Sequence, residues 1–511
     1  MPMANDTAAL TIPAMPAHVL ALDQGTTSTR AILFDAQARP LAQARRDLPI
    51  SHPQDGWVEH DPERIWSDAA AVCREVIMRA RVDASAVAAI GIANQRETVV
   101  IWERDSGQCI HPAIVWQDRR TAPDCARLRA AGMESFVNRQ TGLVIDPYFS
   151  ATKIAWILDH LPGARARAER GELCAGTIDS FLIWRLSGGT AHVTDATNAS
   201  RTLLYDLRRG EWDDGLCAAL RVPRAMLPTV VDSAGPIATT PLLGPSIRIA
   251  GCAGDQQAAA IGQACTRAGA AKTTLGTGAF LIAHTGADIV TSRHRLLTTV
   301  AWRLNGHQAY AMEGSLFNAG ATIGWLCQLG ALKHPADSAR LAASLDGNHG
   351  VYLVPAFTGL GAPHWDADAR AAIIGLGREH GAAELARAGL EAVAYQLRDL
   401  VTAMAADGVH LTGMRIDGGM SANDFLMQRI ADQLALTVSR PAHAEATALG
   451  AALLAGMATG LYPDLDGQSS LIGGPAQTFS PTHDRLGQDR EHAGWTRALA
   501  KVLTTAEPHP G

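Results

Sequence analysis

Short apolar runs alternate with amphipathic stretches along the whole chain. Residues 18–22 (HVLAL) and 31–34 (AILF) read as buried strands on either side of a polar tip, residues 23–28 (DQGTTS), which predicts a hairpin. Asp61-Pro62 predicts a helix start, with Asp as cap and Pro in the first turn. Ile65, Ala69, Val72, Cys73, Val76, Ile77 and Ala80 then recur at helical spacing. Residues 87–93 predict a buried strand that ends at Asn94-Gln95-Arg96-Glu97. A second half opens near residue 247, with a strand over 247–250, a turn over 251–255 and a helix from about Gln256. Residues 272–275 and 279–282 flank Gly276-Thr277-Gly278, a second hairpin with a Gly/Thr tip. A long helix fits 382–406, and 414–419 read as strand and turn. Ser421 is then expected to cap a helix, with Asp424 three residues on. Alternating strands and helices indicate an α/β protein. One strand–tip–strand unit in each half predicts two related domains facing each other, divided near residue 260.

Composition narrows this picture. The 511 residues carry 44 basic and 50 acidic side chains, a net charge of −6. That balance offers no basic field for nucleic acid, so no nucleic-acid partner is expected. An apolar fraction of 47% excludes global disorder. The eight cysteines are widely spaced and form no C-x-x-C pair, which predicts reduced, mostly buried thiols in a cytoplasmic protein. Residues 1–17 lack a signal-peptide pattern and read as a loose tail. The uncharged stretch 446–463 consists largely of Ala, Gly and Thr. It predicts a buried helix packed through small residues, not a membrane insertion. Glycine is uneven, with 15 over residues 1–250 and 33 over 251–511, an excess that needs a cause.

The two tips are the first candidate chemistry. Thr26, Thr27 and Ser28 offer hydroxyls and successive N–H groups that can surround a phosphate; Arg30 can reach its oxygens and Asp23 can hold Mg²⁺. An ordinary hairpin turn uses the same residue types. Thr277 in a second tip turns the pair into a clamp. Asp417-Gly418-Gly419 can seat a planar ligand or simply turn a strand into a helix. No G-x-x-x-x-G-K-[ST] loop and no H-R-D or D-F-G element is present, so a nucleotide site here needs another architecture. Asp255 reads either as a helix cap or as a general base. Arg96-Glu97 reads as a surface ion pair or as donor and acceptor for a polyhydroxyl substrate. Trp116 and Tyr148 read as core or as a pocket wall.

Ten segments together resemble the FGGY carbohydrate kinase family over residues 19–499. They are 21–30 (ALDQGTTSTR), 54–62, 90–103 (IGIANQRETVVIWE), 113–120 (AIVWQDRR), 141–160, 192–202 (HVTDATNASRT), 253–259 (AGDQQAA), 275–280 (LGTGAF), 354–366 and 417–428 (DGGMSANDFLMQ). NQRET together with VIDPYFS is closest to members that act on glycerol. The resemblance implies two α/β domains of the actin-like ATPase (ribonuclease H-like) fold with a central cleft, over 18–260 and 261–505, the second holding nucleotide. It implies ATP and Mg²⁺ as cofactors, glycerol as substrate and sn-glycerol 3-phosphate as product. By family pattern Thr26, Thr27, Ser28, Arg30, Thr277, Gly320, Gly419 and Asn423 contact the nucleotide, and Asp23 serves the metal. Arg96, Glu97, Tyr148, Asp255 and Gln256 hold glycerol, Trp116 and Phe280 flank its carbons, and Asp255 is the base. A homodimer or homotetramer is implied as well. The chain departs from the pattern at Gly324, where some members carry a nucleotide-contacting glutamine, and at 239–248, where the sugar-bisphosphate loop of enterobacterial members is missing.

Overall fold

The computed structural model describes residues 17–441, 445–473, 477–482 and 484–504. The tail expected over 1–17 lies, apart from Ala17, outside these residues. The first sheet contains β1 (His18–Gln24), β2 (Ser28–Phe34) and β3 (Pro40–Asp47). Helix α1 (Pro62–Ala80) follows, and then β4 (Val87–Asn94), β5 (Ala234–Thr240) and β6 (Ile247–Gly254). Their order is β5-β6-β4-β1-β2-β3, and β6, β4 and β1 run parallel. Alternation along β1 explains why both faces are covered. Leu20 and Leu22 pack with Ile65, Val72 and Val76 of α1 on one side. Val19 and Ala21 pack against small residues from far along the chain on the other. Asp61 caps α1 as expected, accepting from the Glu63 N–H.

The second sheet begins after α2 (Asp255–Gly262) with the hairpin β7 (Ala270–Leu275) and β8 (Ala279–Gly286). It continues with β9 (Leu297–Leu304) and β10 (His307–Leu316), then α3 (Gly320–Gln328) and α4 (Ala382–Ala406). β11 (Gly413–Asp417), α5 (Asp424–Leu434), β12 (Val438–Arg440), α6 (Ala446–Ala458) and β13 (Gln477–Phe479) complete it. The strand order is β9-β10-β8-β7-β11-β12-β13. Within the long first-half segment between β4 and β5, further elements build a separate core around Phe149 and Tyr148. That core also takes in Leu297, Val300 and Tyr310 of β9 and β10, so the two halves are packed together.

Four local expectations change. The strand from Ile247 runs on to Gly254 instead of turning at Gly251, and it joins the first sheet. Ser421 does not cap a helix. Its hydroxyl donates to the Gly418 carbonyl within a 3-10 turn, and Asn423 caps α5 by accepting from the Leu426 N–H. The uncharged stretch is a buried helix as expected, but α6 lies on the first sheet, against α2, β4 and β6. A Cβ on Gly450 would come within 1.8 Å of the Ala258 carbonyl oxygen, so only glycine allows this approach. Gly460 does not serve packing; it takes a positive φ of 75° at an open turn. All eight cysteines are free thiols, six of them buried. Among the described residues no helix is long and apolar enough to cross a membrane.

Candidate active site

Three parallel strands end side by side and set the site. In register, Asp23 of β1 lies beside Ala93 of β4, and Gly254 of β6 lies beside Asn94. The residues just past these ends, Arg96-Glu97 and Asp255, therefore converge with Asp23 at the carboxyl edge of the sheet, where open α/β sheets place ligands. Arg96 is not a surface residue. It is 3% exposed, with Nε 3.3 Å from an Asp255 carboxylate oxygen and 4.0 Å from Glu97. Asp255 is the first residue of α2 and Gly254 occupies the cap position, so the cap reading does not hold. Its carboxylate accepts from the Gln256 N–H at 2.7 Å and remains 28% exposed toward the cleft.

The arginine is held by a residue that no sequence pattern points to directly. Glu313 of β10, fully buried, accepts from Arg96 at 2.5 and 3.1 Å and from Arg201 at 3.0 Å. Arg201 also donates to Glu97 at 2.6 Å. Glu97 sits in left-handed backbone (φ 60°), a strained turn that these ion pairs hold in place. Burial works against the Glu313 charge, but Arg201 and Arg96 bring its pKa down to about 2. Burial raises Glu97 and Asp255 above the ordinary carboxylate range, with Arg96 opposing in both. Arg201 lies within 192–202, one of the family-like segments. Glu313 had one signal, a lone acid inside the apolar run 309–316.

Aromatic residues form the wall. The Trp116 ring meets Tyr148 at 5.8 Å and Phe280 at 5.7 Å between centroids, both edge to face. Phe280 is the second residue of β8 on the second sheet, so the wall spans both halves. The Tyr148 hydroxyl is 3.5 Å from Arg96, and burial raises its pKa. Gln256 is buried, its side-chain oxygen accepting from Lys272 at 2.6 Å.

The first tip is a tight turn closed by the Gly25 N–H donating to the Ser28 carbonyl at 2.9 Å. Thr27 is exposed at its apex and Ser28 is buried. Thr26 accepts from the Trp116 indole at 2.9 Å. Arg30 lies 3.5 Å from Asp23 and also pairs with Glu445. The second tip closes the same way, Gly276 N–H to Gly278 carbonyl at 2.9 Å, with Thr277 exposed. The Thr277 carbonyl accepts from Ala319 and Ala321, which fixes the start of α3 at Gly320. Parallel pairing of β7 and β11 brings Gly418-Gly419 beside this tip. Gly418 needs its φ of 89°, and a Cβ there would lie 2.4 Å from the Leu275 carbonyl oxygen. Gly419 faces open space, while the Asn423 side chain is engaged as cap of α5 and toward Ser338.

Asp23 fits a divalent cation. Burial, with the nearby Asp255 charge adding, raises its pKa to about 6, and a carboxylate held so suits a divalent cation as a further counter-charge. Arg30 opposes that shift.

Comparisons with known proteins identify the family. Residues 18–262 match the N-terminal domain of the FGGY family of carbohydrate kinases, and 271–459 match its C-terminal domain. A glycerol kinase of Afipia carboxidovorans is 53% identical over 497 residues, covering 96% of this chain and 100% of that protein. Glycerol kinase 1 of Pseudomonas aeruginosa is 51% identical over 498 residues, with 96% and 100% covered. The crystal structure of Plasmodium falciparum glycerol kinase with ADP superposes with a TM-score of 0.90 at 33% identity, covering 96% and 98% of the chains. A xylulose kinase from Rhodospirillum rubrum gives 0.83 at 26% identity, with 95% and 98% covered. The two α/β domains share the actin-like ATPase fold of these kinases. The chain belongs to the FGGY family of carbohydrate kinases.

Proposed function

We propose that this protein transfers the γ-phosphoryl group of ATP to a terminal hydroxyl of glycerol, giving sn-glycerol 3-phosphate and ADP. One observation carries the reading. A part-exposed carboxylate, Asp255, stands beside the buried Arg96, and an aromatic wall is built from both halves between the two Gly/Thr tips. Glycerol is small and carries three hydroxyls. Arg96 can donate to its oxygens, Glu97 and Asp255 can accept from its hydroxyls, and Tyr148 and Gln256 complete the polar set. Trp116 and Phe280 pack its carbons. Asp255 accepts the hydroxyl proton as the oxygen bonds to the γ-phosphorus and the bond to the bridging oxygen of ADP breaks.

Thr26, Thr27, Ser28 and Arg30 hold phosphate oxygens from one side and Thr277 from the other, while Gly320, Gly419 and Asn423 line the nucleoside end. When bound, Mg²⁺ neutralises phosphate charge, and Asp23 is the residue to hold it. A cleft that closes over both substrates keeps the phosphoryl group from water. ADP release is measured across glycerol, dihydroxyacetone, erythritol and xylulose. The expected result is the highest kcat/KM on glycerol. A maximum on the five-carbon sugar, or ADP release that no polyol stimulates, overturns the reading.

A further inference from the structure

Lys272 is a buried charge that the proposed reaction leaves unused. It sits on β7 of the second sheet with no exposed surface, and its Nζ donates to the Gln256 side-chain oxygen at 2.6 Å. Gln256 lies on α2, next to the proposed base, so the contact links the second sheet to the edge of the first. An amide has one acceptor and one donor end. With Oε1 taken by an ammonium, which can only donate, Gln256 is locked with its NH₂ turned the other way. The Gln256 backbone N–H donates to the Asp255 carboxylate at 2.7 Å, and the Gln256 side chain also favours the ionised form of Asp255. Lys272 also feels Asp417 beyond it, the last residue of β11 before the Gly418-Gly419 turn. The cations around Asp255 are thus Arg96 and Lys272, with Asp23 the neighbouring anion.

We infer that Lys272 is a positioning residue for phosphoryl transfer, fixing the orientation of the Gln256 amide and, through it, of the Asp255 carboxylate. The inference rests on the assignment of Asp255 as base. Burial pushes the Lys272 pKa down, and the nearby Asp417 and Asp255 carboxylates oppose that shift. Two of the groups that act on it, Asp255 and Arg96, stand at the proposed catalytic edge.

The test is a double-mutant cycle on the full chain with glycerol and ATP, using Lys272→Met, Gln256→Ala and the pair. Lys272→Met is expected to lower kcat about tenfold or more while the KM for ATP stays within about twofold. In the Gln256→Ala background the same change is expected to cost less than about twofold further, because the two act in series. Lys272→Arg, which keeps a donor and the charge, is expected to recover part of the loss. If Lys272→Met does not fold by its melting curve, Lys272→Gln takes its place with the same outcomes. Wild-type kcat in the Lys272 variant, or losses that multiply fully in the pair, overturn the inference. Absence of glycerol turnover in the wild-type chain would instead overturn the proposed function.

Discussion

The Trp116 indole donates to the Thr26 hydroxyl at 2.9 Å while its ring edge meets Phe280 on the opposite sheet. One side chain thereby ties the first Gly/Thr tip to the aromatic wall and to the strand that follows the second tip. Trp116→Phe keeps an aromatic wall but removes the donor. A hydrogen bond of this kind contributes about 0.5–1.5 kcal/mol, so kcat/KM should fall by roughly two- to tenfold. Trp116→Ala should lose more, with glycerol KM rising most. Steady-state kinetics in both substrates decide it; an unchanged kcat/KM in the Phe variant would show that the contact carries no function.

Asp255→Asn removes the proton acceptor but keeps size and polarity. General-base assistance amounts to about 10²–10⁴ in rate, so kcat should fall by that factor while the melting temperature and glycerol KM change little. Because burial raises the Asp255 pKa above the ordinary Asp range, its working, ionised form is lost as pH falls through that raised value. The acid limb of kcat/KM should therefore lie above the ordinary Asp value of 3.8. A limb at or below that value contradicts the assignment.

Glu313→Gln leaves Arg96 and Arg201 without the carboxylate that both require. Breaking a buried ion pair from one side costs about 3–5 kcal/mol. The expected result is a clear drop in melting temperature together with a raised glycerol KM. Loss of stability with no change in KM would restrict Glu313 to a structural part.

Two histidines, His284 buried and His192 half-buried, set an acid limit to stability. Burial lowers His192 and His284 to about 4; His192 bonds the Ala175 carbonyl and His284 accepts from the Gly286 N–H. Their folded pKa values lie below the ordinary 6.5. The stability each contributes is therefore complete above that value and is lost as pH falls toward 4. Each can account for up to about 3 kcal/mol. Thermal melts of His284→Asn against pH should show a shallower decline between pH 6.5 and 4 than the wild-type chain.

Gly450→Ala tests the helix crossing. A Cβ 1.8 Å from a carbonyl oxygen forces α6 away from α2, and overpacking of this kind costs about 1–3 kcal/mol or more. Chemical denaturation should show a lower midpoint; an unchanged midpoint would mean that the helices part without cost.

Much of this protein is legible in its local sequence grammar. The hairpins around residues 23–28 and 276–278, the cap at Asp61 and the helix over 382–406 follow from neighbours within a turn or a strand. The unequal glycine count also has a partial cause. Gly276 and Gly418 stand at turns of the second half, and Gly450 at a helix contact. Tertiary structure decided what sits opposite. Glu313 and Lys272 look like isolated charges in apolar strands, because their partners Arg96, Arg201 and Gln256 lie 217, 112 and 16 positions away. Helix α6 belongs in sequence to the second half, yet it covers the first sheet. Asn423 rather than Ser421 becomes the cap because the backbone leaves β11 through a 3-10 turn. Residue type and spacing set which local shapes are cheap; only packing brings distant charges together in a dry interior, where each needs a counter-charge.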